Sequence, residues 1–590
     1  MSNALRNERG IAMMVVLLVT LVIGAITVGA ALMGSNISII NNFTERSSTL
    51  TAVADAGLEE IRSRINGNKA LYPDSLFVTL ENGATVTDAD GSTIPGVRRW
   101  LYVGPSGVTS GQYGVFGSIV AVVEDGTGNR VVRRMGIAQE SFAKYAYFTD
   151  TEPSNISFGG GDQIQGPVHT NDYLKIYSSG ATFLGTVATA KTVQGGQYGT
   201  FAQGYEEYAP YIPMPTTADL DKLRSQAQSG NTAFVGNTSG GAGQATMRIE
   251  FVGVDLNGDG QVNGDTEGFI RVYRVGSSSD AAYVVADVPS GGMDDSENCG
   301  YRSGSNFISA DEAGSNWLNA LTRSNSRCYL GGAPELSNDI NGDNVGEFDP
   351  NEGPGSWIAW PGAVSAQVTA ATAAGAAGGA AAAPYLFPIS RALNPSFKGV
   401  IFVDGNVAIS GTLRGQVTVA ATGDIILPDD LVYATNPGAG TCADILGIFA
   451  GDDVIISDNT INTPIRPASG WSYRTYDDTS SEFFHGIVLA LDIFTVDNYD
   501  NGPDDEEACE TKDWGRGCLY LTGGIIQSTR GAVGTSGGTG YIKRYSYDQC
   551  AFSNPPPYFP TTGHFARGRY YEVDPADFNI SSYWAGLAPH

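Results

Sequence analysis

Basic residues are scarce in this chain. Its 590 residues include 34 Lys and Arg against 62 Asp and Glu, a formal charge of −28, and the basic residues form no cluster. Phosphate binding needs a basic surface, so the composition argues against nucleic acid as a partner. Histidine is scarcer still: His169, His485, His564 and His590 lie far apart. The sequence also lacks HExxH, GxSxG and a phosphate-binding glycine loop, so no catalytic constellation emerges and the chain reads as a non-enzyme. No cysteine pair has CxxC spacing, which weakens zinc and thiol-redox readings. Only 16% of residues are charged while glycine numbers 77, which favours a turn-rich β architecture over helical bundles.

Two further absences define the N-terminus. No charged residue falls between Ile11 and Met33, and no proline between Ile11 and Ile65. A helix over the uncharged run spans ~35 Å, enough to cross a bilayer. A secretory signal has a shorter apolar region of roughly 7–15 residues, although Val28-Gly29-Ala30 offers a cleavage site and keeps a removed signal as an alternative. No cysteine follows the run, which excludes a lipoprotein anchor. Arg6 and Arg9 precede it and Arg46 is the first basic residue after it, so the positive-inside bias leaves the N-terminus cytoplasmic and exports the body. From Leu50 the stretch LTAVADAGLEEIRSRI places Leu50, Ala54, Gly57, Leu58, Ile61 and Ile65 on one stripe, away from Asp55, Glu59, Glu60, Arg62 and Arg64. Asn66-Gly67-Asn68 supplies a stop. The pattern predicts one helix over 11–66, ~80 Å long, with a bend or melted turn in its polar centre SNISIINNFTERSS.

A polar leader ending in Arg9-Gly10, followed by an apolar helix that turns amphipathic, resembles the start of a type IV pilin, and AVADAGLEEIRSRI resembles PilX-type minor pilins. The resemblance covers about the first 65 residues. It implies that a prepilin peptidase cuts after Gly10 to leave Ile11 as the N-terminus. It further implies that the helix serves first as an inner-membrane anchor and then as filament core against other pilin subunits. Shaft pilins of that family carry Glu at the fifth mature position, where it pairs with a neighbour's amino terminus. Here that position is Val15, and the departure implies a tip or minor subunit, with nothing above it to neutralise.

Beyond the helix, residues 67–140 read as a small antiparallel sheet, clearest in YGVFGSIVAVVEDGTGNRVVRRMGIA with a hairpin turn at 125–129. Short β-branched runs broken by glycine fill 141–200 and recur over 384–590. Val400–Phe402, Val407–Ile409, Val417–Val419 and Ile425–Leu427 sit seven to ten residues apart, a spacing similar to the coils of a parallel β-solenoid in which each strand stacks on the next. A β-sandwich gives the same one-dimensional pattern. The two β blocks also resemble an uncharacterised bacterial domain found behind PilX-like anchors. Residues 201–383 read as an inserted loop-rich region ending in the Ala/Gly tract 367–384, a small-residue helix or linker. The expected fold class is therefore α+β: a long pilin-like helix with a small antiparallel sheet, then a large mainly-β head, a parallel β-solenoid with a loop-rich insert. Six cysteines on the exported side allow three disulfides, with Cys509–Cys518 and Cys299–Cys328 as the short-loop pairings.

The strongest local motif is DLNGDGQVNGDTEG. Asp255, Asn257 and Asp259 occupy positions one, three and five of an EF-hand-type calcium loop, Gly260 the sharp bend at six, and Gln261 the carbonyl at seven. Position twelve is Thr266, so the bidentate acid has to come from Asp265 or Glu267 on either side. A second stretch repeats the scheme with Asp339, Asn341, Asp343, Val345 and Asp349, but Asn344 replaces the glycine. Ordinary Asx turns compete with the calcium reading at both places, and bound Ca2+ would have a structural role. The composite expectation is a minor, tip-located pilus or pseudopilus subunit with an exported body and a surface-filament destination. The alternatives are an exported calcium-dependent polysaccharide-active enzyme, or an anchored adhesin that does not polymerise.

Overall fold

The computed structural model describes residues 4–107, 115–237, 245–276, 300–303, 306–309, 348, 350, 355–428, 430–456, 464–465, 475–476, 481–497, 499–500, 509, 517–535 and 538–587. The chain forms two compact units, one of residues 1–109, 115–139 and 563–590, the other of 110–114 and 140–562.

The first unit is built on one helix, Ala4–Gly67, unbroken through its polar centre. The expected bend or melted turn is absent, although threonine hydroxyls there bond back to helix carbonyls. Thr44 Oγ1 donates to the Ile40 carbonyl at 2.8 Å and Thr49 Oγ1 to the Glu45 carbonyl at 2.9 Å. Helical segments on both sides also spare this stretch the cost of nucleation. The described side chains from Ile11 to Phe43, Ile39 left aside, are exposed, whereas Leu50, Ala54, Leu58, Ile61 and Ile65 are buried against a five-stranded sheet. Gly57 lets that sheet approach: a Cβ there would stand 2.9 Å from Leu101 Cδ2. At the rim of the contact Asp55 pairs with Arg133 at 3.0 Å and Glu60 with Arg99 at 2.7 Å.

Three antiparallel hairpin steps link Val78–Thr87, Thr93–Pro105, Phe116–Glu124 and Arg130–Ser141. The turn at 125–129 closes on Asp125, whose carboxylate accepts from the Thr127 and Asn129 N–H groups. The fifth strand, Thr561–Val573, comes from the far end of the chain and lies beside Arg130–Ser141. The block read as 384–590 is therefore divided between the two units, and the whole second unit is inserted between adjacent strands of the first sheet. Its entry and exit lie together, with the Phe142 N–H donating to the Pro560 carbonyl at 3.0 Å.

The second unit is sheet-rich and its ladders run mainly parallel. Val400–Asp404 pairs with Gln416–Ala421, then in turn follow Ile445–Ala450, Glu482–Ala490 and Cys518–Thr529. The same ladder continues into Tyr147–Thr151, Val168–Thr170, Val187–Thr189 and Tyr205–Glu207, and at its other end takes in Ala233–Val235. A second ladder joins Met247–Gly253, Val407–Leu413, Ile425–Leu427, Val454–Ile456 and Phe494–Val496. A third carries Cys518–Thr529 through Ile542–Tyr547 and Asp162–Gln165 to Ala181–Phe183 and Gly199–Phe201.

Stacking order and chain order thus differ. The chain enters in the middle of the stack and winds to one end at Tyr205–Glu207. It then crosses through the helix Thr217–Ser229 and winds back from the other end. Consecutive runs do not stack on each other either: Val400 faces Thr418, not Val407. Gly405, at φ +121°, turns the chain between those two runs and sends them into different ladders. Nor is the region 201–383 a separate insert, since Tyr205–Glu207, Ala233–Val235 and Met247–Gly253 extend the ladders. Its Ala/Gly tract is packed: Val368, Ala382 and Ala383 are buried around the helix Ala366–Ala373.

The strands Val400–Asp404, Gln416–Ala421 and Ile445–Ala450 of the first ladder are apolar on both faces because both are covered. Ile401, Val403, Val417, Val419 and Ile448 point into the main core. Val400, Phe402, Ala420 and Phe449 point outward to Leu220, Leu223 and Ala227 of the crossing helix. At one corner Asx side chains link successive turns. Asn406 Oδ1 accepts the Asp424 N–H at 3.0 Å, Asp424 Oδ1 the Asp453 N–H at 3.2 Å, and Asp453 Oδ1 the Ile493 N–H at 3.0 Å. Two disulfides join described residues: Cys509–Cys518, the short loop expected, and Cys442–Cys550, which spans 108 residues. Cys299 and Cys328 lie outside the described residues.

Candidate functional site

Two places carry the sequence-predicted chemistry. At the N-terminus Gly10 and Ile11 lie within the long helix and both are exposed. A peptidase acting on that bond has to unwind the first turns, and a glycine there lowers the cost by about 1 kcal/mol. The helix is long and apolar enough to cross a membrane, a test that signal sequences near an N-terminus also pass. Thr20 and Thr27 return their hydroxyls to carbonyls three and four residues back, so neither brings an unsatisfied donor to the apolar surface.

The acidic loop at 255–267 joins two antiparallel strands, Met247–Gly253 and Gly268–Arg274. Its backbone folds around the first acid: Asp255 accepts the Gly258 and Gly260 N–H groups, each at 2.7 Å. Those bonds, Gly260's foremost, hold the Asp255 carboxyl below the usual carboxylate range. Gly258 and Gly260 adopt φ of +76° and +79°, so the bend at position six needs its glycine. Asn257 Oδ1 accepts from the Asp259 N–H at 2.8 Å, and Asp259 Oδ1 from the Gln261 N–H at 2.9 Å.

The two candidate acids at the loop's end separate cleanly. Glu267 is buried and accepts from the N–H groups of Leu256, Asn263 and Gly264 at 3.1, 2.8 and 2.6 Å. Asp265 is fully exposed and turned toward Arg414 at 3.3 Å. An ionised carboxylate offers about four lone-pair positions, and Glu267 commits three to the backbone, so it closes the loop and has little left for bidentate metal binding. The donor set that fits a cation is Asp255, Asn257 and Asp259 with the Gln261 carbonyl. Arg414 is the basic residue that tertiary structure brings to this loop. Its guanidinium holds the Gly264 and Asn263 carbonyls and pairs with Asp444 at 3.0 Å, a structural clamp. Asp339, Asn341, Asp343, Val345 and Asp349 lie outside the described residues.

Among the described residues, the acids whose oxygens approach within 4.8 Å as a group of three are Asp424, Asp452 and Asp453, which motif reading missed. Burial, reinforced by Asp452, Asp424 and Asp492, pushes the Asp453 carboxyl up to about 6. The signal was present as an aspartate before successive β-branched runs (TGDIIL, GDDVII), where Asp424 and Asp453 each take the next turn's N–H. The histidines are dispersed. His485 accepts the Tyr433 N–H at 3.0 Å on Nδ1, and burial lowers it to about 4, so it stays neutral at physiological pH. His169 is buried and stacks on Phe148 with ring centroids 5.3 Å apart.

No protein-family model matches the chain, and no curated protein does. Among solved structures, the chain is similar to the competence-associated pilin ComZ from Thermus thermophilus at 12% identity, over 89% of this chain and 97% of that one. The TM-score is 0.27, a value too low to carry an argument about this chain.

Proposed function

We propose that this chain is a minor type IV pilin-like subunit, placed at the tip of a pilus or secretion pseudopilus, where it helps initiate the filament and presents its body to a surface or partner. The observation that carries this reading is the division of one unbroken helix. Its first part keeps an uncharged apolar surface exposed from Ile11 to Met33, and its second part buries the stripe from Leu50 to Ile65 on a small sheet. The exposed half suits lipid before assembly and neighbouring helices afterwards. Arg9-Gly10 supports cleavage by a prepilin peptidase, and Val15 supports a terminal position. The parallel ladders of the body support a β-solenoid. Mass spectrometry of the native protein from membrane and sheared-filament fractions tests the reading. A mature N-terminus at Ile11 in both fractions is the expected result; an intact Met1, or a terminus near Ala30, overturns it.

The acidic hairpin loop is read as a structural calcium site formed by Asp255, Asn257, Asp259 and the Gln261 carbonyl. A ligand in hundredfold excess over its Kd stabilises the folded state by about 2–3 kcal/mol. Adding Ca2+ to chelator-treated protein is therefore expected to raise the thermal midpoint, and the Asp255→Asn, Asp259→Asn double variant to abolish the rise. Equal rises in both proteins, or none in either, remove the loop as a metal site.

A further inference from the structure

The last turns of the stack carry tyrosines on their outside. Tyr177, Tyr198 and Tyr205 are 59%, 45% and 50% exposed, and they gather at one glycine corner. Ile176, next to Tyr177, donates its N–H to the Gln194 carbonyl of the following turn at 2.9 Å, and the Tyr177 side chain leans on Gly159 of the turn before, where a Cβ would stand 3.9 Å from the Tyr177 ring. A Cβ on Gly195 would stand 3.5 Å from the Tyr198 ring, and one on Gly196 3.9 Å from the Tyr205 hydroxyl. The Tyr198 and Tyr205 rings thus border a corner that turns on glycine, with Tyr177 on the turn before it.

The Tyr205 ring is also held in place from below. It contacts Phe201 at 4.8 Å between centroids, Phe201 stacks on Phe183 at 5.2 Å, and Phe183 meets Phe158 at 5.2 Å. An aromatic column therefore runs through the interior and surfaces at Tyr205, fixing the ring before any ligand arrives.

We propose that this corner binds a neutral polysaccharide chain, with the tyrosine rings stacking on sugar faces and their hydroxyls bonding to sugar hydroxyls. Turns of a parallel stack are ~4.8 Å apart, so rings on successive turns make an extended, open platform suited to a polymer rather than a cage for a small cation. Charge selects against anionic polymers. The nearby Lys191 is taken by Asp172 at 2.6 Å and Lys175 by the Glu152 and Pro153 carbonyls, while Glu206 stands exposed. Addition of a protein strand is disfavoured at the same end. Gly199–Phe201 and Tyr205–Glu207 are three residues each, and the second carries acids, the usual protection of a sheet edge. The inference does not depend on the pilin reading.

Calorimetric titration of the detergent-solubilised full chain with cello-, malto- and chito-hexaose, and with oligogalacturonate as the anionic control, tests it. At least one neutral hexasaccharide is expected to bind, with Tyr177→Ala and Tyr205→Ala each weakening binding by about tenfold. Tyr205→Phe keeps the ring and is expected to retain most of the affinity, and all variants are to show wild-type thermal melts. The proposal is overturned if no neutral hexasaccharide binds at millimolar concentration or if oligogalacturonate binds best. Tyrosine variants that alter only the sedimentation coefficient would assign the face to a second copy of the chain instead.

Discussion

Replacing Cys442 and Cys550 by serine is expected to lower the stability of the body by about 4–5 kcal/mol, the loop-closure entropy for a cross-link of this length. The same substitution at Cys509 and Cys518 is expected to cost about 2–3 kcal/mol, because that loop is an order of magnitude shorter. The longer bridge spans 108 residues and the shorter one 9. The longer bridge also has more to hold. Cys550 begins the segment that leaves Ile542–Tyr547 and runs back along the stack, where Phe559 packs on Gly447, Pro557 packs on Gly399, and the Thr418 hydroxyl donates to the Pro557 carbonyl. Cys442 precedes Ile445–Ala450, so the disulfide pins this strap across turns far apart in the chain. Guanidinium unfolding followed by far-UV circular dichroism separates the two bridges. Equal midpoint losses for both pairs would refute the loop-length account.

Glu152→Ala is expected to destabilise the body by about 3–5 kcal/mol, because it removes one partner of a buried ion pair and leaves the other charged. The side chains of Glu152 and Arg530 are 0% and 3% exposed, with Arg530 Nη1 3.2 Å from Glu152 Oε2. Glu152 Oε1 accepts from the Tyr147 hydroxyl at 2.8 Å and the Thr149 hydroxyl at 2.7 Å. Arg530 lies over the Phe158 ring at 3.8 Å and cannot swing to water. Burial works against its charge, but Tyr147, Glu152 and Asp162 outweigh burial and push its pKa further up, so the guanidinium does not escape by losing a proton. The cluster ties Tyr147–Thr151 to the chain just after Cys518–Thr529, the point where the stack passes from late sequence to early sequence. Glu152→Gln keeps an acceptor for the hydroxyls and is expected to lose less. Thermal and denaturant melts of the two variants read the difference, and similar losses would show that the charge, not the hydroxyl bonds, holds this junction.

What could be read from sequence was local. The stripe from Leu50 to Ile65 predicted which face of the helix is buried, since helical periodicity records burial directly. The turn at Asp125 and the pairing of Cys509 with Cys518 were legible for the same reason, short separation. The order of the stack was not. A parallel ladder buried on both faces asks only for β-branched runs, and VIFV, IVLA and YFT carry nothing that says which lies beside which. Cys442–Cys550 and the return of Thr561–Val573 to the first sheet are likewise long-range and leave no periodic trace. In the acidic loop, sequence offered Asp265 and Glu267 as equals. The hairpin gives them different surroundings: Glu267 faces the amides of Leu256, Asn263 and Gly264, while Asp265 is exposed beside Arg414.

The insertion of the body between two adjacent strands of the N-terminal sheet sets the order in which the chain can finish folding. As the chain emerges in order, the long helix and the strands through Arg130–Ser141 can assemble early, yet the strand beside Arg130–Ser141 is Thr561–Val573 and arrives after the entire body. A chain cut short anywhere in the body retains its helix but leaves that sheet edge open, with unpaired backbone groups of the kind that proteases and chaperones recognise. Completion of the small sheet therefore certifies that the body behind it is full length.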